Sequence, residues 1–175
     1  MNDPESSCTL RSCAVAAQGF LPDPGLLRDP FVLVNRVDRV QAGSLVAYAH
    51  LAGKDGQSTD WQIVEACAQT ACLHQRFLRS FGDQVFLLCV DEACIPGPIG
   101  LAALAGEAEI AARLTGQSSA AASYVLSLRP AAGRTAEREV HVALTVGHTP
   151  YASPEQAERL GCHYRRIWKC LANAW

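Results

Sequence analysis

The chain has 175 residues, 49% of them hydrophobic and 18% charged, with 15 Lys and Arg against 17 Asp and Glu for a net charge of −2. One core of ordinary size fits that length, and the apolar content excludes wholesale disorder; the charge lacks the positive field that nucleic-acid binding needs. No apolar run reaches the roughly 18 residues that span a bilayer, and the opening residues Met1 to Ser7 lack a basic leader, so a cytoplasmic protein with no nucleic-acid or membrane partner is expected.

Residues 1–25 mix Ser, Pro and Gly with a short apolar run and read as a turn-rich arm. From Phe31 to Val40 β-branched residues dominate and begin to alternate after Val34, as in a half-buried strand. Gln41-Ala42-Gly43 offers a hairpin turn into a second strand, Ser44 to Ala52, and Gly53 to Ser58 is a polar loop. Thr59 with Gln62 three residues on forms a capping pair. The helix it opens is predicted to run to about Phe81, with apolar or small residues on nearly every face of its first half, so it should be buried on nearly every side. Strand-like stretches follow at Gln84 to Val90, Glu107 to Leu114, Ala120 to Leu128 and Arg138 to Val146, separated by turns such as Ile95-Pro96-Gly97-Pro98. The Ala-rich stretch 101–112 is read as a turn entering a strand.

Two strands, one long buried helix and then three or four more strands indicate an α+β domain, an antiparallel sheet wrapped about a central helix. Residues 26–150 are assigned to that domain and 151–175 to an added amphipathic helix. There Ser153-Pro154-Glu155-Gln156 supplies the start, and Ala157, Leu160, Tyr164, Ile167, Trp168, Leu171 and Trp175 follow at spacings of three and four. Its other face carries Arg159, His163, Arg165, Arg166 and Lys169, a solvated face that could also meet an acidic carrier protein. The eight cysteines contain no CxxC pair. Their spacing opposes a zinc site or a disulfide framework, and Cys67, Cys72 and Cys89, inside apolar runs, are expected in the core.

Two segments carry a family likeness. Arg28-Asp29-Pro30-Phe31-Val32-Leu33-Val34-Asn35-Arg36-Val37 is similar to a strand written HR-x-P-F-L-L-V-D-R-V, and Ile63-Val64-Glu65-Ala66-Cys67-Ala68-Gln69-Thr70-Ala71 to a helix motif L-x-E-A-x-A-Q. With Asp91-Glu92-Ala93 they span residues 28–128 in the order found in the hotdog-fold 3-hydroxyacyl-ACP dehydratases, which the chain resembles. A short pre-helix loop with Trp61 resembles the aryl-polyene branch of that family. The resemblance implies a hotdog fold, a homodimer or a heterodimer with another hotdog subunit, an acyl-ACP or acyl-CoA thioester as ligand, no cofactor, and a lyase reaction of fatty-acid or polyketide-like biosynthesis. It also carries the family's catalytic Glu onto Glu65. The family's His comes from an H-F-P-G loop; His50-Leu51-Ala52-Gly53-Lys54 resembles that loop, whereas alignment on the strands places His50 inside the second strand, the preferred register. The family's opening His and Asp are Leu27 and Asn35 here.

A carboxylate among apolar helix residues is costly unless paired, hydrogen-bonded or protonated, a setting suited to acid/base work. Glu65 is therefore the catalytic candidate, against a purely structural role satisfied by Arg36 or Gln69. Gln69, at i+4, can orient Glu65 or donate to a thioester carbonyl, and Gln69 and Trp61 are the candidate substrate contacts. His74 is read as part of a solvated helix face, and His141 and His148 as surface or edge residues. No GxSxG elbow, HExxH or phosphate-cradling loop occurs, and no metal is expected. A hotdog thioesterase and a non-catalytic acyl-ACP-binding subunit remain as alternatives to the dehydratase.

Overall fold

The computed structural model describes residues 32–51, 59–95, 104, 106–131 and 139–172. The expected N-terminal arm, the loop 53–58, the turn at 96–98 and Trp175 lie outside the described residues. Among the described residues six strands and two helices follow in the order β1 (Val34–Gln41), β2 (Ser44–His50), α1 (Asp60–Leu78), β3 (Asp83–Cys94), β4 (Glu107–Gln117), β5 (Ala121–Pro130), β6 (Val140–Pro150) and α2 (Pro154–Ala172). All pairings are antiparallel, in one sheet of order β1-β2-β4-β5-β6-β3. Strands β3 to β6 end two to four residues beyond the sequence reading, β5 and β6 start one and two residues later than read, and β2 ends at His50 rather than Ala52.

Register follows from alternation. Along β2, β4, β5 and β6 every second side chain is buried: Leu45, Ala47 and Ala49, then Ala108, Ile110 and Ala112, then Tyr124, Leu126 and Leu128, then Val142, Leu144 and Val146. A one-residue slip would turn each set outward, so the core face pins the pairing. Pairs such as Ala47 with Ile110 and Leu126 with Val142 result. The other face is polar and cross-linked: Arg36 stacks over the Tyr48 ring at 3.8 Å, Tyr48 donates to Glu109 at 3.2 Å, and Arg129 donates to Glu109 at 2.7 Å.

Helix α1 lies on the apolar face and touches all six strands. At its start, Gln62 Oε1 accepts from the Thr59 backbone N–H at 3.1 Å. It ends three residues before the predicted Phe81, because Ser80 and Phe81 take positive φ of 53° and 59°. The Phe81 N–H closes the turn on the Arg76 carbonyl at 2.8 Å. This left-handed turn swings the Phe81 ring into a buried position beside Trp168 of α2, with centroids 6.0 Å apart.

Three single-residue readings are corrected. His74 is fully buried rather than solvated: its Nε2 meets the Gln41 carbonyl at 2.8 Å where the β1–β2 turn closes over α1, and its ring meets Tyr124 edge-on at 5.6 Å. His148 is buried as well, with Nδ1 3.6 Å from Asp83 Oδ2, because the end of β6 pairs with the start of β3. Cys89 is exposed rather than in the core. It sits on edge strand β3, where register shifts on either side of Cys89–Val90 break the alternation, and its thiol donates to Asp91 at 3.2 Å. Cys67 and Cys72 are buried as read.

Helix α2 begins with Ser153 Oγ accepting from the Gln156 N–H at 3.2 Å and Gln156 Oε1 accepting from the Ala152 N–H at 3.0 Å. Its apolar stripe docks on its own domain: Trp168 stacks on Phe77 of α1 at 4.8 Å, and Leu171 joins Val34, Val37, Leu45, Ala47 and Leu73 in a second apolar cluster. Gly161 lies against the carbonyl of Phe81, where a Cβ would sit 3.0 Å from that oxygen. No helix among the described residues is long and apolar enough to cross a membrane.

Candidate active site

Glu65 sits in the second turn of α1 and is half-buried. Gln69, one turn later, donates through Nε2 to Glu65 Oε1 at 2.8 Å, while Gln69 Oε1 accepts from the backbone N–H groups of Leu33 at 3.0 Å and Val34 at 3.4 Å. The amide is thereby fixed in one orientation by the start of β1, and with it one carboxylate oxygen. The spacing of four that suggested this contact is the spacing at which helix side chains meet.

Glu65 and Gln69 border a cavity of about 260 Å³. Beyond them its wall continues along α1 through Ala68, Cys72 and Leu73 to Arg76, and it is closed by Leu87 of β3 and by Tyr164, Ile167 and Leu171 of α2. Burial pushes the Cys72 thiol up to about 11; the Arg76 guanidinium opposes that shift and the Glu65 charge adds to it. Cys72 is thus a neutral wall, not a nucleophile. Burial raises Cys67 further still.

The remaining candidates are separate from this cavity. Trp61, 54% exposed in the first turn of α1, is not among its lining residues. His50 closes β2 opposite Glu107, exposed, its N–H bonded to the Leu33 carbonyl at 3.0 Å. Arg36 lies 3.8 Å from Glu107. The sequence reading missed Arg76, Tyr164, Ile167 and Leu171 as cavity residues. The α2 stripe signalled that they pack, but nothing in its periodicity says against what.

The fold recurs in solved structures. AziG of S. sahachiroi matches with a TM-score of 0.52 at 13% identity over 66% of this chain and 91% of that one. A mutant of the thioesterase PA1618 of Pseudomonas aeruginosa matches with a TM-score of 0.52 at 14% identity, over 67% and 82%. The thioesterase HI1161 of Haemophilus influenzae matches with 0.53 at 11%, over 67% and 80%. The chain has the hotdog fold. No family model matches the sequence, and no curated protein matches it.

Proposed function

We propose that this chain acts on acyl thioesters, with Glu65 as the acid/base and dehydration of a 3-hydroxyacyl thioester as its reaction. One observation carries the reading: a carboxylate locked by Gln69, itself anchored on the β1 backbone, borders a cavity whose other walls are largely apolar. Such a cavity takes a chain along its apolar walls and presents the Glu65 carboxylate to its reactive end. Dehydration breaks the α-carbon C–H bond and the β-carbon C–O bond: the Glu65 carboxylate takes the α-proton and delivers it to the departing hydroxyl, which leaves as water, while the C–H electron pair forms the α,β double bond. Gln69 holds the carboxylate for that exchange, and Trp61 lies on the approach to the helix N-terminus. His50, at the outer end of β2, has no catalytic part in this reading.

The second subunit belongs to the same reading. Edge strand β3 exposes Phe86, Leu87, Leu88 and Val90, and Leu87 also borders the cavity. A partner hotdog subunit paired along β3 would cover these side chains and complete the cavity's open side.

Hydrolysis is the second reading, favoured by two of the matching structures being thioesterases and by the lack of a histidine among the described residues lining the cavity. There Glu65 would activate water or attack the thioester directly. Incubation of the purified chain with 3-hydroxyacyl and saturated acyl thioesters, on CoA and on a carrier protein, separates the two. Enoyl absorbance reports dehydration and free thiol reports hydrolysis. Glu65→Gln keeps the shape and removes the titrating proton, so either activity should fall about 100-fold or more. Wild-type turnover in that variant would remove Glu65 from the chemistry.

A further inference from the structure

Beyond Glu65, the cavity has a second charged end. Glu65, Gln69, Cys72 and Arg76 follow at spacings of four, three and four, which places them on one stripe of α1, and all four border the cavity. Eleven residues at 1.5 Å each separate Glu65 from Arg76 by about 16 Å along the axis. The wall between them is apolar: Ala68 and Leu73 from α1, Leu87 from β3, and Ile167 and Leu171 from α2. Among the described residues lining the cavity, Arg76 is the one cation.

Arg76 is positioned without being neutralised. Its Nη2 donates to the Val85 carbonyl at 2.7 Å and its guanidinium stacks on the Tyr164 ring at 4.0 Å. No described carboxylate pairs with it, and its buried Nε has no hydrogen-bond partner. The part of the guanidinium not engaged with Val85 is a permanently charged, planar donor bordering the cavity, the kind of group that takes a carboxylate.

We infer that the cavity receives an acyl chain whose far end carries a carboxylate, bound by Arg76 while the thioester end lies at Glu65. This rests on the acyl-thioester reading above and narrows it to ω-carboxyacyl substrates. Arg and Glu side chains both reach into the span, and an extended chain advances roughly 1.2 Å per bond, so acyl groups of about six to ten carbons fit. The volume agrees, lying below the range of roughly 300 to 1,000 Å³ common for sites that hold whole drug-sized ligands. In the inferred complex, α2 is the specificity element: its Tyr164 holds the guanidinium flat, and Ile167 and Leu171 keep water from the chain.

The test measures binding of inert thioether analogues to the full chain by calorimetry. Pantetheine thioethers ending in a methyl or a carboxylate are matched atom for atom over about six to ten carbons, each with and without the 4′-phosphate. The wild-type protein should bind the carboxylate-ended series about 10- to 100-fold more tightly than the methyl-ended one at the best length. Arg76→Gln should erase that preference, and Arg76→Lys should keep part of it. The wild-type comparison needs no variant, so a poorly folded Arg76→Gln does not decide the outcome. Equal wild-type affinity for both ends overturns the inference and leaves the acyl-thioester reading intact. A preference that follows the phosphate and vanishes in Arg76→Gln also overturns it, giving the arginine to the carrier arm instead. Failure of every analogue to bind overturns the inference and the underlying reading together.

Discussion

The two edges of the sheet end differently: among the described residues one is covered by the chain's own C-terminal helix and the other is bare. At β1, the C-terminal helix packs against the edge strand, and Val34, Val37 and Leu171 are buried together. At β3, a strand of twelve residues leaves nine in succession exposed, among them Phe86, Leu88 and Val90. Gly147 of β6 widens this contrast. A Cβ there would fall 2.9 Å from the Phe86 ring and 3.0 Å from Leu88, so its absence lets two large apolar side chains lie across the outer face. Soluble proteins blunt exposed edges with charge, proline or a covering element. Among the described residues one edge has such cover and the other carries exposed apolar side chains in its place, the surface proposed above for a partner subunit.

Removing the cover tests the first half of that contrast and should produce the largest effect. Truncation after Pro150 exposes Phe77, Leu73 and Val34 and deletes the buried Leu171. Burial of side chains of this size stabilises by about 1.5 to 3 kcal/mol each, so a loss of roughly 5 kcal/mol or more is expected. The truncated chain should aggregate or melt far below the full one in a thermal scan. A soluble product with an unchanged melting temperature would make α2 a dispensable tail, and β1 would then be as open an edge as β3.

The bare edge can be broken without touching the covered one. Leu88→Lys places a charge on the outer face of β3, where a lone-chain fold loses little because Leu88 is already 53% exposed. If β3 pairs with a second subunit, the lysine must be desolvated there, and the dimer dissociation constant measured by sedimentation should rise about 100-fold. The thermal transition of the isolated chain should hardly move. An unaltered dimer would place the subunit contact elsewhere.

How far this contrast could be read in advance depends on the range of the interactions. Local signals served well: the Thr59–Gln62 pair marks the start of α1, and the four-residue spacing of Glu65 and Gln69 anticipates their 2.8 Å hydrogen bond. Alternation located the strands, because each has one apolar face. Signals that depend on a distant partner misled. His74 is polar and lies late in its helix, and only the Gln41 carbonyl, 33 residues away, explains its burial. Cys89 stands in an apolar run, yet such a run cannot say whether the strand is central or at an edge. The cavity follows the same rule. Its Glu65 end was legible because the motif is local, whereas its Arg76 end needs α2, whose docking site no periodicity specifies.

Within the covered half, the contact that fastens α2 can be weakened alone. Trp168 stacks on Phe77 and tilts against Phe81. Replacing a large aromatic by Ala costs about 3 to 5 kcal/mol when it is fully buried. Trp168 is half-buried, so Trp168→Ala should cost about 2 kcal/mol, and Trp168→Phe should recover much of it by keeping the stack. A cost near zero in chemical denaturation would mean that α2 is held by Leu171 and its neighbours, with the aromatic cluster contributing little.

The smallest effect concerns the seam where the β1–β2 turn meets α1, and it appears only as a pH dependence. His74 is enclosed by Tyr124, Gln75 and the Gln41 carbonyl, and among the described residues no carboxylate pairs with it to favour its charged form. Burial therefore holds its pKa below the ordinary 6.5, and the bond to the Gln41 carbonyl opposes the shift only in part. The folded state keeps the ring neutral at a pH where the unfolded chain has already protonated it. The unfolded state then binds more protons, so stability rises with pH in this window and is lost as pH falls below 6.5 toward the folded value. One such group contributes a slope of at most about 1.4 kcal/mol per pH unit. His74→Gln can still donate to the Gln41 carbonyl but does not titrate, so urea melts of the variant should show a flatter stability profile between about pH 6.5 and 5 than the wild type. If the two profiles run parallel, the ring is charged in place at low pH, and water must reach a seam that the packing of Tyr124 and the turn encloses.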